Sequence, residues 1–328
     1  MAPTIALSRT AGTNRTERNL SPFIKRQIPA SGLSAVCHPL VEKTIREVNG
    51  FYLQHWDFQD PKVRKRFEGE GYVRVTCFYL CKARDDRIAL ACRLVTLLFL
   101  IDDILEHFSL EEGRAYNERM FSFFRGEVQP DRHVPAEWIS YDLWEELRAC
   151  DVELANQMLE PIYAFMASQT DPRRLVGMGF SEYLEYREIE VGKGVLSALI
   201  RFTCGLHLSA EDLAIADEAD RNCGRHMAVI NDIWSYEKEV HASQSLHKEG
   251  GILCNAVAIL AGDTKISTDS AKRVLYQLAR EMEIEQEFLV REALAQRDTQ
   301  DMRTYLEGIE YQMSGNEFWS RSTDRYVM

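Results

Sequence analysis

The stretch Leu94-Val95-Thr96-Leu97-Leu98-Phe99-Leu100-Ile101-Asp102-Asp103-Ile104-Leu105-Glu106 is among the most apolar in the chain, and it closes on three carboxylates. Upstream, Ile88, Ala91, Cys92, Val95, Leu98 and Phe99 form a stripe at helical spacing that runs into Asp102, Leu105 and Glu106. On such a helix Asp102 falls on the inward face and Glu106 lies one turn later on that face. Asp103 is rotated by about 100° toward its edge. Inward carboxylates are costly unless something positive meets them. Asp85-Asp86 reads as the start of this helix, because carboxylates cap a first turn and complement its dipole; its end falls near Phe108.

A second oxygen-rich set lies far downstream. Cys223, Met227, Asn231, Ser235 and Glu239 recur every four residues, drifting by about 40° per step on a helix over roughly 217–240. Asn231 thus shares a stripe with apolar neighbours. Mg²⁺ takes oxygen ligands in octahedral geometry and often keeps waters. Asp102 offers a carboxylate, Asn231 an amide oxygen, Ser235 a hydroxyl and Glu239 a carboxylate. With no His or Cys, the set suits Mg²⁺ better than zinc. A lone Asp-Asp-x-x-Glu reads as a solvated helix turn; the second set argues otherwise. Its ligands are too few to neutralise several dications, so a diphosphate substrate is the expected donor of the remaining charge.

The periodicity is helical almost throughout, and no strand alternation or constant repeat competes. A helix over about 180–202 carries Tyr183, Leu184, Arg187, Val191, Val195 and Ala198 on one stripe, with Gly192 and Gly194 placed to break or bend it. Further helices cover about 270–296 and 302–319. Loops are expected at 129–137, 168–177 and 242–251. The fold class is therefore all-α: one helical domain over 22–328, preceded by a polar, disordered tail over 1–21.

Composition bounds the function. With 45% apolar residues the 328-residue chain can bury a sizeable core, and its 18 glycines and 9 prolines mark no linker. A formal charge of −12 argues against nucleic acid as partner. Lys62-Val63-Arg64-Lys65-Arg66 is short, is followed by Glu68 and Glu70, and reads as a solvated face. No run of eighteen apolar residues predicts a membrane span. Eight dispersed cysteines without a secretion signal or a completed zinc set suggest a reduced, cytoplasmic protein. His226, His241 and His247 lack zinc-site spacing, and Gly192-Lys193-Gly194 lacks the context of a phosphate loop.

Four motifs carry a family resemblance. Asn231-Asp232-Ile233-Trp234-Ser235-Tyr236-Glu237-Lys238-Glu239 resembles the metal-binding NDxxSxxKE motif of the class I, ionisation-dependent terpene cyclases. Asp102-Asp103-Ile104-Leu105-Glu106 resembles their aspartate-rich motif. Arg187, 44 residues before Asn231, resembles their diphosphate-sensing arginine, and Arg325-Tyr326 their C-terminal pair. Tyr183-Leu184-Glu185-Tyr186-Arg187-Glu188, Glu249-Gly250-Gly251-Ile252-Leu253-Cys254 and Tyr311-Gln312-Met313-Ser314-Gly315-Asn316-Glu317 are similar to one fungal branch, the aristolochene synthases.

The resemblance covers about residues 35–326. It implies a helical bundle around an apolar cavity, farnesyl diphosphate as substrate, three Mg²⁺ ions and release of diphosphate with a bicyclic sesquiterpene hydrocarbon. It also implies a homodimer or homotetramer as a possible assembly. By position, Asp102, Asn231, Ser235 and Glu239 resemble the metal ligands, with Asp103 and Glu106 as weaker candidates. Arg187, Lys238, Arg325 and Tyr326 resemble the diphosphate donors. Tyr79, Phe99, Phe165 and Trp319 match aromatic positions of the family pocket, although by spacing alone Phe99 and Phe165 read as core aromatics. Segment 242–251 is a candidate lid.

Trp234 stands where Tyr is frequent, Glu190 where Asp is usual, and Cys81 in a segment expected near the pocket. Two rival functions remain: a chain-elongating prenyl transferase of the same fold, and a non-catalytic helical binding protein.

Overall fold

The computed structural model of the protein describes residues 28–58, 60–246 and 248–326; the expected disordered tail and His247 lie outside them. Amphipathic stripes without strand alternation leave helix-on-helix packing as the way to bury apolar surface. Among the described residues there are fifteen α-helices, two 3₁₀ turns and no strand. In chain order the first group is α1 (Val41–His55), α2 (Pro61–Glu70), α3 (Tyr72–Tyr79), α4 (Ile88–Leu105) and α5 (Leu110–Arg125). Then follow α6 (Pro135–Cys150), α7 (Val152–Gln157), α8 (Leu159–Ser168), α9 (Arg173–Val176) and α10 (Phe180–Glu190). The last group is α11 (Lys193–Cys204), α12 (Ala210–Ser245), α13 (Ala256–Thr264), α14 (Thr268–Gln296) and α15 (Gln300–Ser322). No helix among the described residues is long and apolar enough to cross a membrane.

The 36-residue α12 organises the bundle. It packs on α10, α11, α13, α14 and α15. α4 packs on α1, α3 and α6, and α15 returns to meet α3. Leu94, Leu97 and Ile101 of α4 are buried among these helices. Val95, Leu98, Phe99 and Asp102 point instead into a cavity. Segment 62–66 is exposed on α2, as expected of a solvated face.

The elements depart from expectation at their ends. α4 begins at Ile88, and Arg87 at its N-cap makes no side-chain cap bond. Asp86 is drawn instead to Arg84, which donates to it at 3.1 and 3.2 Å. α12 starts earlier than its apolar stripe because Ser209 and Asp212 form a capping box. Pro135 opens α6 at a position where a missing N–H costs nothing, so the helix takes in the end of the expected loop over 129–137. Segment 168–177 holds the single turn α9, while α12 runs through Ser245 and Glu249–Gly251 form a 3₁₀ turn. The expected helix over 180–202 is two helices. Gly192 between them has φ +76°, a conformation that favours glycine.

Candidate active site

α4 and α12 both present oxygen to one cavity. Its wall includes Asp102 and Glu106 from one side and Asn231, Ser235, Lys238 and Glu239 from the other. Arg187, Arg325 and Tyr326 line it as well, and so do Tyr79, Phe99, Phe165 and Trp319. Thirteen of the fourteen residues singled out from the sequence therefore line one cavity; Asp103 is the exception.

The acidic end of α4 is compact: oxygens of Asp102, Asp103 and Glu106 lie within 4.8 Å of one another. Asp102 accepts from Gln169 Nε2 at 2.7 Å and lies 3.7 Å from Arg325. It sits deep in the molecule, yet 39% of its side chain is open to the cavity. Burial and neighbouring Glu106 push its carboxyl above the usual range. Asp103 is turned to the edge, as its helical position requires. Burial pushes the Asp103 carboxyl up, but Arg325 at 2.8 Å, helped by Lys238 and the Tyr72 hydroxyl, brings it below its ordinary value.

On α12, Asn231 accepts from Arg187 at 2.9 Å and donates to the Tyr326 hydroxyl at 2.7 Å. Ser235 donates to Glu239, whose other oxygen accepts from Asn255 at 3.0 Å. Burial and the like charge of Asp232 raise the Glu239 carboxyl, with Arg187 opposing them. Arg325 and Tyr326, consecutive in a 3₁₀ turn, therefore serve the two patches separately: Arg325 meets the α4 carboxylates and Tyr326 meets Asn231. Lys238 crosses directly to Glu106 at 3.1 Å.

Several residues here escaped sequence reasoning. Asp232 is fully buried, pairs with Arg187 at 2.9 Å, and accepts from the Tyr183 hydroxyl at 2.5 Å and from Ala256 N at 2.8 Å. Its place between Ile230 and Ile233 was an available signal. Arg174, in a segment expected to be a polar loop, lines the cavity and pairs with Glu190 at 2.9 Å. Glu190 also pairs with Arg187, so one carboxylate links two guanidiniums. Gln169 and Asn255 gave no signal, since each acts only through a partner distant in sequence.

The aromatic wall has its own order. Phe99 stacks on Tyr72 at 4.4 Å with 11° between planes, and Trp319 lies 6.0 Å from Phe99. The Arg325 guanidinium sits 5.4 Å over the Phe99 ring. Trp319 Nε1 is satisfied by the Glu70 carbonyl, and the Tyr79 hydroxyl donates to Asn316 at 2.9 Å. Phe165 packs against the Gly192 break. Phe99 and Phe165 are thus cavity residues, against the reading that spacing alone supports. Cys81 is not among the lining residues, so the departure there does not shape the wall directly.

Segment 242–251 reaches the mouth, with Ala242, Gly250 and Gly251 lining it. Gly250 N donates to Phe108 O at 3.0 Å, and Glu249 accepts from Leu110 N at 2.9 Å. A Cβ on Gly250 would lie 2.0 Å from the Leu105 carbonyl oxygen, so only glycine permits this approach.

The donor chemistry fits hard divalent cations. The two patches offer carboxylate, amide and hydroxyl oxygen, and six carboxylates (Asp102, Asp103, Glu106, Glu190, Asp232, Glu239) face four cations (Arg174, Arg187, Lys238, Arg325). This excess of negative charge calls for added positive charge, while burial first, then the like charges of Glu106 and Asp232, raises the Asp102 and Glu239 carboxyls.

Comparison with known proteins agrees with this chemistry. A family described as terpene synthase family 2, C-terminal metal binding, matches residues 93–284. Aristolochene synthase of Aspergillus terreus is 51% identical over 316 residues, 96% of this chain and 97% of that protein. Aristolochene synthase of Penicillium roqueforti is 46% identical over 318 residues, 93% of each. The crystal structure of the P. roqueforti enzyme matches with a TM-score of 0.80, covering 90% of this chain and 99% of that one. The chain belongs to the terpene synthase family, as a class I terpene cyclase. Its substrate is accordingly a prenyl diphosphate and its chemistry uses a divalent metal.

Proposed function

We propose that this cyclase is a magnesium-dependent sesquiterpene synthase, with residues 22–328 as one catalytic domain. It converts farnesyl diphosphate to aristolochene or a closely related bicyclic hydrocarbon and releases diphosphate. The observation that carries the reading is that both oxygen patches and the aromatic wall open into one cavity, with Arg325 and Tyr326 bridging the patches. The nature of the relatives, both aristolochene synthases, supports the substrate and the product class.

Asp102, with Asp103 and Glu106 beside it, would hold metal on the α4 side; Asn231, Ser235 and Glu239 would hold metal on the α12 side. Three Mg²⁺ ions, when bound, supply Lewis acidity toward the diphosphate. Arg187, Lys238, Arg325 and Tyr326 donate hydrogen bonds to the diphosphate oxygens, where charge grows as the carbon–oxygen bond breaks. Arg187 pairs with Asp232, Lys238 with Glu106 and Arg325 with Asp103, while the Tyr326 hydroxyl accepts from Asn231, so substrate binding would exchange these internal partners for phosphate oxygens.

Tyr79, Phe99, Phe165 and Trp319 surround the allylic cation. Each aromatic face stabilises it by about 0.5–2 kcal/mol without trapping it as a nucleophile. Segment 242–251, latched to the end of α4 through Gly250, closes the mouth against water, which would turn the cation into an alcohol. The diphosphate retained in the closed site after ionisation serves as the final base.

A homodimer or homotetramer is the assembly the family resemblance supports, and sedimentation velocity reads it. A cytoplasmic location is part of the same proposal; the eight unbonded cysteines agree with it.

Product analysis by mass spectrometry tests the function. Farnesyl diphosphate with Mg²⁺ should yield a bicyclic hydrocarbon, independent of added isopentenyl diphosphate and abolished by chelator. A longer prenyl diphosphate formed only with isopentenyl diphosphate would establish the prenyl transferase instead, and binding without turnover would establish the non-catalytic protein.

A further inference from the structure

Asn255 is fully buried where the chain re-enters the bundle after the lid segment. It is the N-cap of α13, with Oδ1 accepting from Val257 N at 2.9 Å. A helix cap needs only that oxygen, and Asp or Ser would supply one equally well. Asn255 does more. Its Nδ2 donates both to the Asp232 carbonyl oxygen at 3.1 Å and to Glu239 Oε2 at 3.0 Å. Every hydrogen-bonding group of the amide therefore meets a partner of the opposite kind, which fixes its orientation.

Glu239 is held from two sides: Ser235 donates to Oε1 and Asn255 to Oε2. The two bonds differ in kind. Ser235 must turn its hydroxyl proton away from Glu239 to offer a lone pair to a cation, whereas Asn255 has no such second duty. Its anchor is rigid as well, because Ala256 N donates to the Asp232 side chain and Tyr183 donates to the Cys254 carbonyl.

We propose that Asn255 is a positioning residue for the metal site. Its amide N–H holds the Glu239 carboxylate so that Oε1 faces the cavity when Ser235 lets go. Through the backbone at Cys254 and Ala256, it also ties that orientation to the seating of the lid segment. The inference rests on the reading of Glu239 as a metal ligand. Partners that orient ligating carboxylates typically change metal affinity by about 10–100-fold when removed.

The test measures binding of inorganic diphosphate by calorimetry across a magnesium series, with no turnover involved. Asn255→Ser keeps the capping oxygen and loses the N–H donors. Asn255→Asp keeps shape and cap but sets a carboxylate against Glu239. Both should retain cooperative melting by circular dichroism, while the magnesium concentration needed for half-maximal diphosphate binding rises by about 10–100-fold, most in Asn255→Asp. A wild-type magnesium midpoint in either folded variant overturns the proposal and leaves Asn255 a helix cap. Diphosphate binding by the wild-type protein that ignores magnesium would instead overturn the assignment of Glu239 itself.

Discussion

Lys238 on α12 donates to the Glu106 carboxylate at the end of α4, at 3.1 Å, and so joins the two oxygen patches directly. Both side chains are about one quarter exposed. This pair ties the end of α4 to α12 at the cavity. Arg325 on Asp103 and Arg187 on Asp232 repeat the device at deeper positions.

Replacing Lys238 by Gln separates its two duties. A partly exposed pair contributes at most about 1 kcal/mol, so thermal melting should shift little. Loss of a charged donor to the departing diphosphate should lower kcat/KM roughly 10–100-fold. Steady-state kinetics with farnesyl diphosphate checks this; an unchanged kcat/KM removes Lys238 from the diphosphate site.

Asp232→Ala should be far more damaging to stability. It strands the buried Arg187 guanidinium and the Ala256 amide, and breaking one side of a buried pair costs about 3–5 kcal/mol. Asp85→Ala, at an exposed turn, should stay within about 0.5 kcal/mol of wild type. Urea unfolding of the two variants gives the comparison. A loss for Asp232→Ala as small as for Asp85→Ala would mean that Glu190 alone satisfies Arg187.

Phe99→Ala removes the ring between Tyr72 and Trp319 and the aromatic face under Arg325. The hydrocarbon profile should move toward monocyclic and acyclic products, read by gas chromatography and mass spectrometry. The same profile as wild type would take Phe99 out of the cation's surroundings.

Glu283 on α14 predicts an acid-sensitive contact. Burial pushes its carboxyl up, but His226 at 3.4 Å, bonds from Ser31 and the Gly32 amide, and Arg280 beside them bring it down to about 2 from an ordinary 4.5. A depressed carboxyl contributes stability that is complete above about 4.5 and lost as pH falls through about 2. Glu283→Gln should therefore be less stable than wild type near neutrality, and the difference should shrink across that window in denaturant titrations. A difference that does not change with pH would show that the ionised carboxylate contributes nothing.

The site was legible where chemistry and helical period coincide. Asp102, Asn231, Ser235 and Glu239 stand on apolar stripes, so burial and oxygen content could be read together. Arg174, Gln169 and Asn255 carried no such mark. Arg174 lies in a polar segment that looks solvated, and the other two matter through hydrogen bonds to Asp102 and Glu239 across 67 and 16 residues. The helix start at Asp85-Asp86 misled because Arg84 competes for the carboxylate that would have capped the helix.

By itself, the order of residues determined the all-helical class, the two inward oxygen patches and the cations meant to meet them, because the 3.6-residue period converts spacing into a face. It also carried the break at Gly192, since glycine readily accepts that backbone angle. Which patch each cation serves was decided only by tertiary structure. Arg325 and Tyr326 are adjacent in sequence but turn to opposite walls, and Lys238 reaches Glu106 from another helix. Packing brings together groups that no local period relates, and their Coulomb and hydrogen-bond energies then select the partners.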